Sequence, residues 1–188
     1  MKNSNLVVKP LTARSVGDFW SLHSDEVEHG WCCCTAWWSP SFKVFSKRTA
    51  TENRQIREEL FAKEQFDGFI LYENDDPLGW CQCGSLKRLP LLCEVYDLDE
   101  ATIDEKVQAI SCLFLKPSAR NKGLAHKLLA GLLEHLKDEG FEVVKAFPRC
   151  GDNLPAGEVW TGPGPLFTRA GFTKIGGSET MPIFELSL

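Results

Sequence analysis

The sequence predicts an α/β domain with a mixed, mostly antiparallel central sheet flanked by helices, and three observations carry that expectation. Residues 109–136, AISCLFLKPSARNKGLAHKLLAGLLEHL, read as a short apolar strand, a Lys116-Pro117 break, a basic glycine-containing loop and a long amphipathic helix. Residues 69–72 and 78–83 flank the turn-rich Glu73-Asn74-Asp75-Asp76-Pro77 and read as a strand hairpin. Two further strand-like runs, 174–175 and 181–188, close the chain. Strands mixed with a few helices in this way indicate one α/β domain over residues 1–188.

Residues 6–9 supply a first strand, and after Pro10 a Thr12 is placed to cap a helix carrying Val16, Phe19 and Trp20. Residues 29–40, HGWCCCTAWWSP, have no clear period. Thr49-x-x-Glu52 is a capping box that opens a polar helix to about Lys63. The sparse apolar face of that helix, Ile56, Leu60 and Phe61, predicts that it lies on the surface.

Residues 84–108 are mixed and acidic, a link long enough to be functional or mobile. A strand over 109–115 comes next, then a helix from about Lys122 to Glu139. Leu124, Leu128, Leu129, Leu132, Leu133 and Leu136 line one face of this helix, and Gly140 ends it. Residues 143–147 give a further strand, and 166–170 a brief helix before Gly171-Phe172.

Length and composition narrow the class. The 188 residues are 43% hydrophobic and 25% charged, which suits one globular domain with a substantial core. A net charge of −5 argues against a nucleic-acid partner, which needs a basic surface, but not against a cationic substrate. The first residues lack the apolar core of a signal peptide, and no run reaches the ~20 apolar residues that span a bilayer. The expectation is therefore a cytoplasmic protein that uses no membrane and keeps its eight cysteines as thiols.

The basic loop is the most informative stretch. A loop at the start of a helix turns backbone N–H groups toward one point, at the positive end of the helix dipole, and so holds a phosphate. In this sequence the amides from Asn121 to Ala125 take that position, with Arg120, Lys122 and Lys127 adding charge. Gly123 and the small Ala125 leave the backbone accessible.

Arg120-x-x-Gly123-x-Ala125, lying between strand and helix, resembles the Gln/Arg-x-x-Gly-x-Gly/Ala motif of the GNAT superfamily of N-acetyltransferases. Leu166-Phe167-x-x-x-Gly171-Phe172 is similar to the short helix and Gly-Phe pair near the end of those enzymes. The resemblance covers about residues 6–188 and is sharp only in these two stretches. Gly30-Trp31-Cys32-Cys33-Cys34-Thr35-Ala36-Trp37-Trp38, with Gly79-Trp80-x-Gln82 and Phe147-Pro148, further resembles a bacterial subset of the family.

The resemblance implies the GNAT fold and acetyl-CoA as acyl donor, with no metal. It places the donor pyrophosphate on Arg120, Asn121, Lys122, Gly123, Leu124, Ala125 and His126. The pantetheine arm would lie along Leu113, Phe114 and Leu115, where the family's strand splays from its neighbour. The amide of Leu115 is then the candidate to polarise the thioester carbonyl. It also implies direct attack by a primary amine, of a small molecule or a peptide, in a ternary complex. Dimers are frequent in the family, so a homodimer is compatible with the resemblance.

The resemblance does not identify the acid or the base. The late-helix position that carries a tyrosine acid in many members is Phe167 here. Of the two tyrosines, Tyr72 and Tyr96, only Tyr96 is a candidate acid. Glu94, Asp97 and Asp99 are the nearest acids that could bind or deprotonate an amine, although the plain reading of each is a solvated acidic loop. His126 and His135 lie on the loop's helix, where the plain reading is a surface histidine. Trp31, Trp37, Trp38, Trp80 and Trp160 read as core; the alternative is that the Trp31–Trp38 segment and Trp160 wall an acceptor pocket with Gly162-Pro163-Gly164-Pro165 at its rim.

Cys32-x-Cys34 and Cys81-x-Cys83 allow a four-thiolate zinc site, against which Cys81 and Cys83 sharing a strand face read as core. Cys112 has opposite parity to Leu113 and Leu115 and reads as buried filler or, as a second choice, an acyl-carrying thiol. Two alternatives to an enzyme remain: an inactive acyl-CoA sensor, favoured by Phe167, and a metal-dependent structural protein. A donor longer than acetyl is also compatible with the motif.

Overall fold

A seven-stranded sheet in the order β1-β2-β3-β4-β5-β7-β6 organises the chain in a computed structural model that describes residues 5–24 and 30–188. The strands are β1 (Leu6–Pro10), β2 (Phe69–Glu73), β3 (Asp76–Ser85), β4 (Val107–Leu115), β5 (Val143–Ala146), β6 (Thr173–Gly177) and β7 (Pro182–Ser187). The helices are α1 (Val16–Leu22), α2 (Phe42–Phe45), α3 (Ala50–Ala62), α4 (Pro90–Val95), α5 (Leu124–Asp138) and α6 (Gly164–Arg169). Every neighbouring pair is antiparallel except β4 and β5, which the crossover helix α5 connects in parallel. Single-domain α/β architecture with a mixed sheet is thus what the sequence predicts.

The hairpin between β2 and β3 turns at Asn74 and Asp75, both left-handed at φ 50° and 70°. Two consecutive positive φ values are what a tight hairpin turn needs, and Asn and Asp tolerate them. On one face of the sheet α5 buries Leu128, Leu129, Leu132 and Leu136 against Leu71, Cys81, Cys83 and Ile110. On the other, α1 packs Phe19 and Leu22 with Ile70, Trp80 and Cys112. The capping box at Thr49 and Glu52 opens α3 as the sequence indicates.

Several boundaries and two larger expectations change. Helix α5 begins at Leu124 and not Lys122, because Gly123 is its N-cap at φ 74°. Residues 84–108 are not a loose link. A 3-10 turn, Leu86–Arg88, leads into α4, and Leu86, Leu89, Leu91, Leu92 and Cys93 are buried with Trp37, Ala109 and Phe147. The acids at Glu94, Asp97, Asp99 and Glu100 mask that apolar run in the sequence. Nor is α3 a surface helix: Asn53, Arg57 and Leu60 are buried. Polar residues fill its inner face, so hydrophobic periodicity cannot reveal it. The start of the Cys/Trp-rich segment, His29, lies outside the described residues, as do residues 1–4 and 25–28.

Leu132 is fully buried beneath α5. Its replacement by alanine leaves a cavity in the main core, so Leu132→Ala should lower unfolding stability by roughly 3 kcal/mol, read from urea denaturation with an unchanged m-value.

Candidate functional site

Strand β4 outruns its parallel partner. Pairing with β5 ends at Ile110 opposite Ala146, leaving residues 111–115 with no residue of β5 opposite them. Ser111 is an extra residue in β4, since Gln82 pairs with Cys112 and Cys83 with Ile110. A bulge of this kind bends a strand and re-aims the side chains beyond it. A cavity of about 450 Å³ opens beside the departing strand and is lined by Leu113, Phe114 and Leu115. Arg120 and Asn121 continue its wall toward the start of α5.

The loop between β4 and α5 is shaped for backbone exposure. Asn121 and Gly123 are both left-handed, at φ 59° and 74°. A Cβ on Gly123 would meet nothing within 4 Å, so open space lies before the helix and the positive φ is what demands glycine. The first helical donors are His126 and Lys127, both bonded to the Gly123 carbonyl, so the amides of Leu124 and Ala125 precede the helical ladder. Arg120 donates from Nε to the Leu115 carbonyl at 3.0 Å, tying the loop to the end of β4. Lys122, His126 and Lys127 lie at the solvent side of this loop and first turn. The Leu113 amide is not free as expected: it donates to the Trp160 carbonyl at 2.8 Å.

The opposite wall comes from the Cys/Trp-rich segment. Trp31, exposed and stacked on Phe45, lines the cavity together with Cys32, Cys34 and Trp160. Trp37 and Trp80 are core residues, and Trp37 Nε1 donates to the Ser111 carbonyl at 2.9 Å. These five tryptophans thus divide between wall and core, with Trp38 packed over the Arg57 guanidinium.

Arg57 holds this wall in place. It is 1% exposed and donates to the carbonyls of Cys33 (3.0 Å) and Cys34 (2.6 Å) and to Gln82 Oε1 (3.0 Å). One turn earlier on α3, Asn53 accepts from Thr35 Oγ1 and donates to the Trp31 carbonyl. These bonds fix a backbone that turns left-handed at two consecutive cysteines, Cys33 (φ 43°) and Cys34 (φ 53°). Each such residue costs on the order of 1 kcal/mol and persists only where its surroundings enforce it.

Cys34 faces the cavity beside His23 and Cys112. The His23 Nδ1 lies 3.0 Å from the Phe19 carbonyl, which can only accept, so Nδ1 carries a proton there. The ring is stacked on Phe19 with centroids 4.1 Å apart. Burial alone would raise the Cys34 thiol, but hydrogen bonds with Cys112 and His23 and the Arg57 charge hold it well below the usual thiol range. Its neighbours move oppositely. The bond to Cys34, then burial, raises Cys112, while burial pushes Cys32 up to about 12.

The other candidates do not assemble here. Tyr96 donates to the Phe147 carbonyl at 3.4 Å, is pushed up to about 12 by burial, and does not line the cavity. Glu94, Asp97 and Asp99 do not line it either. Phe167 is fully buried against Phe172. Cys81 and Cys83 belong to the core under α5 while Cys34 belongs to the opposite face, so the four-thiolate grouping is not formed. Among the described residues no group of three or more His, Cys, Asp or Glu is placed to hold a metal ion. All eight cysteines are free thiols.

Sequence reasoning missed His23, Arg57 and the pairing of Cys34 with Cys112. The one signal available was Asn53 and Arg57, spaced i, i+4 on an otherwise ordinary polar helix.

Over residues 31–161 the chain matches the family model described as the acetyltransferase (GNAT) family. No curated protein matches it. Among solved structures it is similar to the PaiA N-acetyltransferase of Thermoplasma acidophilum in complex with coenzyme A, at 12% identity and a TM-score of 0.52, covering 98% of this chain and 99% of that one. A mosquito arylalkylamine N-acetyltransferase-like protein gives 14% identity and a TM-score of 0.58, covering 98% and 100%. The Escherichia coli ribosomal-protein-S18-alanine N-acetyltransferase gives 14% and 0.53, covering 97% and 94%. At these identities the likeness is one of fold.

Substituting Arg57 by leucine strips the donor from the Cys33 and Cys34 carbonyls and from Gln82. Arg57→Leu is expected to cost about 3 kcal/mol of stability in urea unfolding, because buried acceptors lose their partner. An unchanged midpoint would mean that the network contributes nothing net.

Proposed function

The chain belongs to the GNAT acetyltransferase family, and on that premise we propose that this acetyl-CoA-dependent acyltransferase moves the acetyl group to a primary amine of a small molecule or peptide by direct attack in a ternary complex. The observation that carries the reading is the joining of two features in one cavity: a helix start with left-handed Asn121 and Gly123, and a β4 edge that β5 leaves uncovered. The first suits a pyrophosphate and the second an extended pantetheine arm. The coenzyme A carried by the Thermoplasma acidophilum protein supports this donor.

The donor site proposed is Leu113, Phe114 and Leu115 for the arm, with Arg120, Asn121, Lys122, Gly123, Leu124, Ala125 and His126 around the pyrophosphate. Arg120 would act by bracing the loop on Leu115 as well as by its charge. The Leu113–Trp160 bond would have to open before the Leu113 amide could serve the arm. The acceptor would enter between Trp31 and Trp160, whose faces suit an apolar or cationic amine. We read residues 1–188 as one catalytic domain, compatible with a homodimer. Among the described residues no helix is long and apolar enough to cross a membrane. The eight free thiols suit a cytoplasmic setting.

Saturating acetyl-CoA should raise the thermal midpoint, by an amount equivalent to about 2.7 kcal/mol at a hundredfold excess over Kd. Gly123→Val places a branched side chain at a left-handed position and in the open space before α5. It should weaken acetyl-CoA binding at least tenfold, about 1.4 kcal/mol, in calorimetry. No midpoint shift with wild-type protein would sink the reading. One observation favours a second reading, an acyl-CoA sensor without turnover: the late-helix position is a buried Phe167 that offers no proton. Release of free CoA on screening a set of amines would decide for catalysis, and its absence with intact binding for the sensor.

A further inference from the structure

We propose that Cys34 is itself an acetyl acceptor: with acetyl-CoA bound and no amine present, its sulfur attacks the thioester and the chain becomes S-acetylated at this residue, with His23 as the group that handles the proton. The proposal rests on the donor placement above and concerns a cysteine that the amine reaction does not use.

Of the eight thiols, Cys32, Cys34 and Cys112 line the cavity with Leu113, Phe114 and Leu115, so donor and thiol share one space. Of these three, Cys34 is the one set against His23. Behind it stands a histidine whose ring cannot turn freely, held by the Phe19 carbonyl at Nδ1 and stacked on the Phe19 ring. A nucleophile, a base beside it and a third group that orients the base make the arrangement that activates weak nucleophiles in enzymes. The left-handed backbone at Cys34, pinned through its carbonyl by Arg57, holds in place the loop that carries the thiol.

The groups that face Cys34 all bear on its charge. They are His23 at the end of α1, Arg57 from α3, Cys112 from β4, and Cys32 and Cys33 beside it, with Cys81 on the far face of β3 within charge range. Cys34 is shifted downward while Cys32, Cys81 and Cys112 are shifted upward. A thiolate is the attacking form of cysteine.

The step balances without any oxidant. The Cys34 sulfur forms a bond to the acetyl carbonyl carbon, and the bond from that carbon to the CoA sulfur breaks. The CoA sulfur leaves with the electron pair and takes the proton that His23 Nε2 has received from the Cys34 thiol. The products are S-acetyl-Cys34, a neutral His23 and free CoA.

The test is intact-protein mass spectrometry after incubation with acetyl-CoA alone, followed by peptide fragmentation to locate the adduct. The expected result is one acetyl group per chain, on Cys34 and not on Cys32 or Cys33, removed by neutral hydroxylamine as a thioester must be. Cys34→Ser should abolish it while keeping the thermal shift with acetyl-CoA. His23→Gln should slow acetylation at least tenfold. It should also move the pH profile of Cys34 alkylation by iodoacetamide to more alkaline values, which loss of packing alone would not do. A thermal shift with acetyl-CoA but no adduct, or an adduct on another residue, overturns this proposal alone. Loss of both the shift and the adduct overturns the donor site beneath it.

Discussion

The site depends on one buried cation. Arg57 enters from α3 with no carboxylate hydrogen-bonded to it among the described residues, and its guanidinium donates to two loop carbonyls and a glutamine. Burying a guanidinium is costly unless every donor finds an acceptor, so the cost itself enforces one loop conformation. Only with the carbonyls of Cys33 and Cys34 turned toward Arg57 do these residues stay left-handed, and only then do Trp31, Cys32 and Cys34 line the cavity. The aromatic rings of Phe19, Trp38 and Phe61 around the guanidinium add cation–π contact in the same dry environment.

The other half of the site arises from a mismatch in strand length. Because β5 stops opposite Ile110, the end of β4 needs other partners for its backbone, and it finds them in the loops. Trp37 bonds the Ser111 carbonyl, Trp160 accepts from Leu113, and Arg120 donates to Leu115. Three separate segments are therefore anchored on one uncovered strand end. The cavity is the space left between them.

Much of the frame was legible in the sequence because it rests on local rules. The hairpin at Asn74-Asp75, the capping box at Thr49 and Glu52 and the leucine stripe of α5 each come from turn, cap or periodicity chemistry within a few residues. The glycine of the basic loop was legible for the same reason. The features that escaped are non-local. The burial of Asn53 and Arg57 depends on carbonyls more than twenty residues earlier in the chain, and hydropathy reads such a face as solvent-exposed. The association of His23, Cys34 and Cys112 joins α1, a loop and β4. No spacing rule connects them. Residues 84–108 failed in the opposite way, since a run of acids concealed a helix that is firmly packed.

The lone parallel pair in the sheet carries a topological consequence. Two adjacent strands running the same way must be linked by a crossover, and α5 is that link. Its first turn is therefore obliged to sit at the carboxyl end of β4, the same end at which β4 extends past β5. Helix dipole and unclaimed strand edge coincide because the one crossover connection creates both. The loop cannot drift away from the strand end through point substitution. Only a rewired connection would part them, so the helix start and the open strand end stay together whatever side chains surround them.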